Sequence, residues 1–197
     1  MPHFPSFADE LPLTRNALAF ARERHAGQRR EADDAAFILH PLEVAHLLSN
    51  LGYADEIVAA GVLHDSLENT DATPLELETR FGGEVARLVC AVSEPVPEGP
   101  YAERKARLRD AVAKEDRDVA VVYAADKVAK ARELRMTLAR DWSAAASPGT
   151  ADKLDHYWAS LELLDQLLGD DPLVGQLRFE LEALATLPPG VPAEAQR

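Results

Sequence analysis

Residues 118–135 read DVAVVYAADKVAKARELR, and no other stretch limits the available folds as much. From Val119 to Ala125 the side chains are apolar, Tyr123 apart from its hydroxyl. At 3.6 residues per turn they cover every side of a helix, so other elements must wrap this one. Asp126 then puts a carboxylate into the same segment. A carboxylate taken out of water is costly unless it is paired or bound to a cation. The fold must therefore bring either a lysine or arginine or a metal ion to Asp126, and both solutions are open at this point.

The rest of the chain supplies wrapping helices. Leu13, Ala17, Leu18 and Ala21 repeat at three-to-four spacing, as do Val44, Leu47, Leu48 and Leu51. Further helices are expected over about 55–69, 74–81, 83–93, 101–114, 118–138, 152–168 and 172–187. Thr73-Pro74-Leu75-Glu76 has the form of a capping box with proline in the first turn. The glycines of FGG (81–83) end the helix before them. EPVPEGP (94–100) and SPGT (147–150) read as loops. No stretch alternates at period two long enough for a sheet. The expectation is a single all-α domain over 1–187, with 188–197 as a flexible tail.

Composition narrows the partners. The 197 residues carry a net charge of −13, which repels a polyanion, so nucleic acid is not expected as a partner. The charge is uneven, however. Residues 101–135 hold 10 basic and 7 acidic side chains, so a small anionic substrate is possible if this segment faces a site. Taken alone, RKARLR (104–109) reads as a solvated helix face. Cys90 is the one cysteine and excludes an internal disulfide; RLVCAVS suggests a small buried residue. The absence of a long apolar run and of a basic leader leads us to expect a cytoplasmic protein without membrane contact. Oligomeric state is not legible.

Three segments bring chemistry together. FILHPLEVA places His40 at a helix start, AAGVLHDSLEN ends an apolar helix with His64 and Asp65, and Asp126 lies in the helix described above. Two imidazoles and two carboxylates form a mixed nitrogen and oxygen set suited to Mn²⁺, Fe²⁺ or Zn²⁺. A helical bundle can gather such ligands from separate helices. Glu68 follows His64 by four residues and Asp65 by three, so on a continuous helix it shares their face and can handle a water. Of the other histidines, His25 is expected to be a hydrogen-bonded structural residue, His46 to pack, and His156 to lie at the surface or between helices. Ser66 has no triad context.

The pattern His40…His64-Asp65…Asp126 resembles the H…HD…D signature of HD-domain metal-dependent phosphohydrolases. HAGQRR (25–30), FILHPLEVAHLL (37–48), AAGVLHDSLENTDAT (59–73), FGGEVARLVCAVSE (81–94) and AADKVAKARELR (124–135) are similar, in order and spacing, to the hydrolase domain of RelA/SpoT-type alarmone enzymes. The resemblance covers about 13–138 and continues through the helices expected at about 152–187. No synthetase-like region follows within this sequence, so it resembles the small stand-alone alarmone hydrolases.

The resemblance implies an all-α HD-domain bundle that holds Mn²⁺ through His40, His64, Asp65 and Asp126. It also implies hydrolysis of the 3′-pyrophosphate of guanosine 3′,5′-bis(diphosphate)-type alarmones to GDP or GTP and pyrophosphate. Glu68 and Asn69 follow as catalytic candidates, and Arg30, with Arg29 beside it, as a residue that packs against the nucleotide base. The chain departs from the family in three places. Asn69 stands where an aspartate is usual, and an amide orients water but takes no proton. Lys130 stands where an asparagine is usual and suits a phosphate instead. The stretch between the arginine pair and His40 is one residue longer. Two alternatives follow: a phosphohydrolase of another 2′- or 3′-phosphorylated nucleotide, or a catalytically weak nucleotide-binding regulator.

Overall fold

Two helices are buried almost all round, and the others are arranged about them. In the computed structural model, which describes residues 5–30, 33–94, 98–140 and 148–186, α3 (Asp55–Leu63) buries every residue from Ile57 to Leu63. The long helix α8 (Arg117–Arg140) buries every residue from Val119 to Ala129, including Asp126 and Lys127. Around α3 pack α1 (Pro12–Arg24), α2 (Leu39–Asn50) and α6 (Gly83–Val92). Around α8 pack α2, α3, α6, α7 (Tyr101–Val112), α9 (Pro148–Leu168) and α10 (Pro172–Thr186). The short α4 (Ser66–Asn69) and α5 (Pro74–Phe81) connect α3 to α6. The fold among the described residues is all-α, with one 3-10 turn at Ser6–Ala8 and a lone antiparallel bridge between Arg29 and Ala36. The tail expected at 188–197 lies outside the described residues.

Local chemistry explains the boundaries. The first turn of α1 has no side-chain cap of its own. Asp55, the first residue of α3, supplies one from a distance: its Oδ2 accepts from Leu13 N at 2.9 Å and its Oδ1 from Thr14 N at 2.9 Å. Thr73 caps α5 by accepting from Glu76 N at 3.2 Å. Only half of the expected capping box forms, because the Glu76 carboxylate is held by Arg24 and Arg80. SPGT is not wholly a loop: Pro148, Gly149 and Thr150 make the first turn of α9, a position that suits proline.

Close packing of α2 on α3 depends on Gly61. A Cβ there would stand 2.5 Å from Leu48 Cδ1 and 3.2 Å from Val44 Cγ1. Glycine in a helix interior costs about 1 kcal/mol relative to alanine; here it lets the helix that carries His40 approach the one that leads to His64. Cys90 departs from expectation, since its face of α6 is exposed. The apolar neighbours Val89 and Val92 are buried by turning the other way.

Candidate metal centre and anion cavity

The expected helix over 55–69 is interrupted where the chemistry begins. α3 ends at Leu63, α4 begins at Ser66, and His64 and Asp65 form the turn between them. His40 is the second residue of α2, and Asp126 lies in the middle of α8. All four side chains are buried, between 3% and 6% exposed. His40 Nε2 lies 3.1 Å from His64 Nε2 and 3.1 Å from Asp126 Oδ1. His64 Nε2 lies 3.3 Å from both Asp65 Oδ2 and Asp126 Oδ1, and His40 Nε2 lies 3.6 Å from Asp65 Oδ2.

These spacings fit a divalent first-row ion. With donors about 2.1 Å from the ion, neighbouring ligand atoms stand about 3.0 Å apart in octahedral geometry and about 3.4 Å apart in tetrahedral geometry. His40, His64 and Asp65 converge as one compact donor group. Asp126 adds Oδ1 beside both imidazoles, but that oxygen also meets an ammonium group. His64 is oriented from behind, with its Nδ1 donating to Gly61 O at 2.8 Å so that Nε2 faces the cluster.

Of the two solutions open for Asp126, the ammonium partner is directly visible, beside the two imidazoles. Lys127 Nζ donates to its Oδ2 at 2.5 Å, and Lys130 Nζ stands 3.0 Å from its Oδ1. Burial favours the neutral acid, but Lys127, Lys130 and the two imidazoles outweigh it and hold the carboxyl well below the usual carboxylate range. Against the same penalty, His64 and Lys130 hold the Asp65 carboxyl low. Burial depresses His40, whereas the adjoining Asp65 and Asp126 lift His64 to about 10 despite its burial.

The cluster opens onto a cavity of about 750 Å³. His40, Asp65 and Asn69 line it together with three lysines, Lys105, Lys127 and Lys130, and with Tyr101 and His156. Phe37, Leu134, Leu138 and Tyr157 supply apolar surface, and Arg29, Arg30, Glu133 and Lys153 also line the cavity. RKARLR is therefore not simply a solvated face. Lys105 is turned inward, its Nζ 2.5 Å from Glu94 Oε1, and burial pushes its ammonium pKa down. Arg109 points the same way and donates to His156 Nδ1 at 2.7 Å.

The remaining expectations sort by geometry. Arg30 lines the cavity with its guanidinium held by Asp33 and, at 3.4 Å, by Glu133. Asn69 lines it too, and its carbonyl accepts from Gln28 Nε2 at 2.8 Å. Gln28 is in turn bonded to His25 Nδ1 at 2.8 Å, so buried His25 braces the site edge. Glu68 lies outside the cavity lining. It is exposed, and its Oε1 accepts from Glu94 N at 2.7 Å. His46 is exposed, its ring 5.5 Å from that of Phe7. Lys105, Lys127 and Tyr101 were not singled out in the sequence. His156 lies between helices as expected, but it is buried, borders the cavity and leaves Nε2 with no protein partner.

No helix among the described residues is long and apolar enough to cross a membrane. Residues 17–161 match the family described as HD domain. The guanosine-3′,5′-bis(diphosphate) 3′-pyrophosphohydrolase of Aquifex aeolicus is 42% identical over 94 residues, 48% of this chain and 13% of that protein. The guanosine-3′,5′-bis(diphosphate) 3′-pyrophosphohydrolase MESH1 of Danio rerio is 36% identical over 128 residues, 64% of this chain and 71% of that one. This chain therefore aligns with only a small part of the Aquifex protein but with most of the zebrafish one. The solved structure of a metazoan ortholog of SpoT superposes with a TM-score of 0.74 at 23% identity, covering 94% of this chain and all of that one. A Listeria monocytogenes structure gives a TM-score of 0.67 at 24% identity over 74% of this chain and 95% of that one. On the family match and the zebrafish relative together, the chain belongs to the HD-domain family.

Proposed function

We propose that this protein hydrolyses the 3′-pyrophosphate of guanosine 3′,5′-bis(diphosphate), using a divalent ion, Mn²⁺ first among the candidates, held by His40, His64, Asp65 and Asp126. The observation that carries the reading is the meeting of a four-residue donor cluster with a lysine-lined wall in one cavity. The names of the Aquifex and zebrafish relatives support the choice of substrate.

When bound, the ion supplies Lewis acidity, lowering the pKa of water and polarising a phosphoryl oxygen. The chain's own residues do the rest. Two carboxylates, Asp65 and Asp126, face Lys127 and Lys130 at contact distance, so those charges balance. Lys105 is likewise balanced by Glu94 and Arg30 by Asp33, so the charge of the ion, with Arg29 and Lys153 against Glu133, leaves the cavity positive and suited to a polyphosphate. The flat guanidinium of Arg30 suits a purine face or a phosphate edge. The Asn69 amide, at the cavity edge, orients a water without deprotonating it. Hydrolysis consumes one water, separates pyrophosphate from the ribose 3′ oxygen and leaves a 3′-hydroxyl on GDP.

A second reading keeps the centre and changes the nucleotide to another 2′- or 3′-phosphorylated one; Lys130 favours it, because an ammonium selects phosphate rather than guanine. Incubation with Mn²⁺ and a panel of phosphorylated nucleotides separates the two. Pyrophosphate released from the guanosine compound supports the first. Orthophosphate released from a different nucleotide, with the guanosine compound untouched, replaces it with the second.

A further inference from the structure

Lys130 shares an oxygen with the donor cluster. Its Nζ lies 3.0 Å from Asp126 Oδ1, the atom that stands 3.1 Å from His40 Nε2 and 3.3 Å from His64 Nε2. Asp65 divides its oxygens: Oδ2 faces the imidazoles and Oδ1 lies 3.8 Å from Lys130 Nζ. Lys127 stands differently. It holds the other oxygen of Asp126 with its ammonium over the Tyr123 ring, and its side chain is 3% exposed. Both lysines line the cavity, but Lys130 is 32% exposed there. One lysine is thus a fixed counter-charge, while the other stands between the ligand oxygens and the space where an anion binds.

We propose that Lys130 sets the affinity of the centre for its divalent ion and couples it to anion binding in the cavity. This rests on the metal reading given above. An ammonium and a divalent cation placed against one carboxylate oxygen repel each other, and burial strengthens the repulsion. An anion in the cavity neutralises the ammonium or draws it off Asp126 Oδ1, and so tightens the ion. By linkage, the ion tightens the anion by the same factor. The centre then holds its metal firmly only when an anionic substrate is present, a property that a neutral side chain at this position cannot confer.

The test is calorimetric titration of chelator-treated protein with Mn²⁺, in sodium sulfate and in sodium chloride of matched ionic strength. Wild type, Lys130→Gln and Lys130→Arg are compared, with Asp126→Asn as the ligand control. Lys130→Gln is expected to bind Mn²⁺ about tenfold more tightly than wild type. Sulfate is expected to tighten Mn²⁺ for wild type and Lys130→Arg but not for Lys130→Gln. Thermal melts supply a second readout: metal-free Lys130→Gln melts lower than wild type, and Mn²⁺ raises its Tm by more. Equal or weaker binding by a folded Lys130→Gln overturns the coupling and leaves the metal centre standing. Wild type that binds no Mn²⁺, or binds it no better than Asp126→Asn, overturns the metal reading and the coupling with it.

Discussion

His64 and Gly61 are joined by a 2.8 Å hydrogen bond from Nδ1 to the carbonyl oxygen, one turn back along α3. The same glycine leaves room for Leu48 and Val44 of α2, so one residue both aims one imidazole and admits the helix that carries His40. Gly61→Ala adds helix propensity but drives a methyl group into buried Leu48 and Val44. Overpacking is expected to win, with a net loss of about 1–3 kcal/mol in urea denaturation. Mn²⁺ affinity is expected to fall with it, because His40 and His64 are moved apart.

Asp55 provides a stability test away from the site. Its carboxylate caps the otherwise uncapped start of α1 and also accepts from Thr14 Oγ1 at 2.6 Å. Asp55→Ala leaves two backbone N–H groups without that acceptor. A loss of about 2 kcal/mol is expected from chemical denaturation, with catalytic constants unchanged.

His156 gives the protein an acid-sensitive element. Burial, then Lys127, Lys105 and Arg109, push its pKa down to about 2. Between that value and the ordinary histidine range near 6.5, the unfolded chain takes up a proton that the folded one refuses. Stability therefore rises with pH through this window and is lost as pH falls below about 6.5, with a limiting slope of about 1.4 kcal/mol per pH unit from this group. Urea denaturation between pH 7 and pH 5 is expected to show a shallower decline for His156→Gln than for wild type.

Glu68 and Asn69 are expected to respond oppositely. Glu68→Gln keeps an oxygen for Glu94 N and lies outside the cavity lining, so turnover stays within about twofold. Asn69→Asp places an acid at the cavity edge, and initial rates with Mn²⁺ present are expected to increase. A large loss in Glu68→Gln would return the proton-handling role to that residue.

The helices were legible because their apolar faces repeat with little interruption and glycine or proline marks many of their ends. The buried environment of Asp126 was legible for the same reason. The break at His64 and Asp65 was not, since nothing in AAGVLHDSLEN disfavours continuing the helix; the side chains of both residues there meet His40 of α2 or Asp126 of α8, contacts that only the tertiary fold supplies. Nor was the inward turn of Lys105 and Lys127. A lysine's long stem and charged tip fit solvent or a cavity equally well, and only the placement of neighbouring helices chooses between them. His156 lies outside the segments that resemble the family, and its buried Nδ1 meets Arg109 of α7, a contact that the sequence spacing does not reveal.

The central claim is that His40, His64, Asp65 and Asp126 hold an ion on which the reaction depends. Pyrophosphate release from guanosine 3′,5′-bis(diphosphate), followed across a Mn²⁺ titration of chelator-treated protein, tests it most directly. The account predicts no release in chelator and a saturable rise with Mn²⁺ in wild type, with at least a hundredfold loss in Asp126→Asn (about 3 kcal/mol in the barrier). Undiminished release in chelator, or an Asp126→Asn variant as active as wild type, would contradict it.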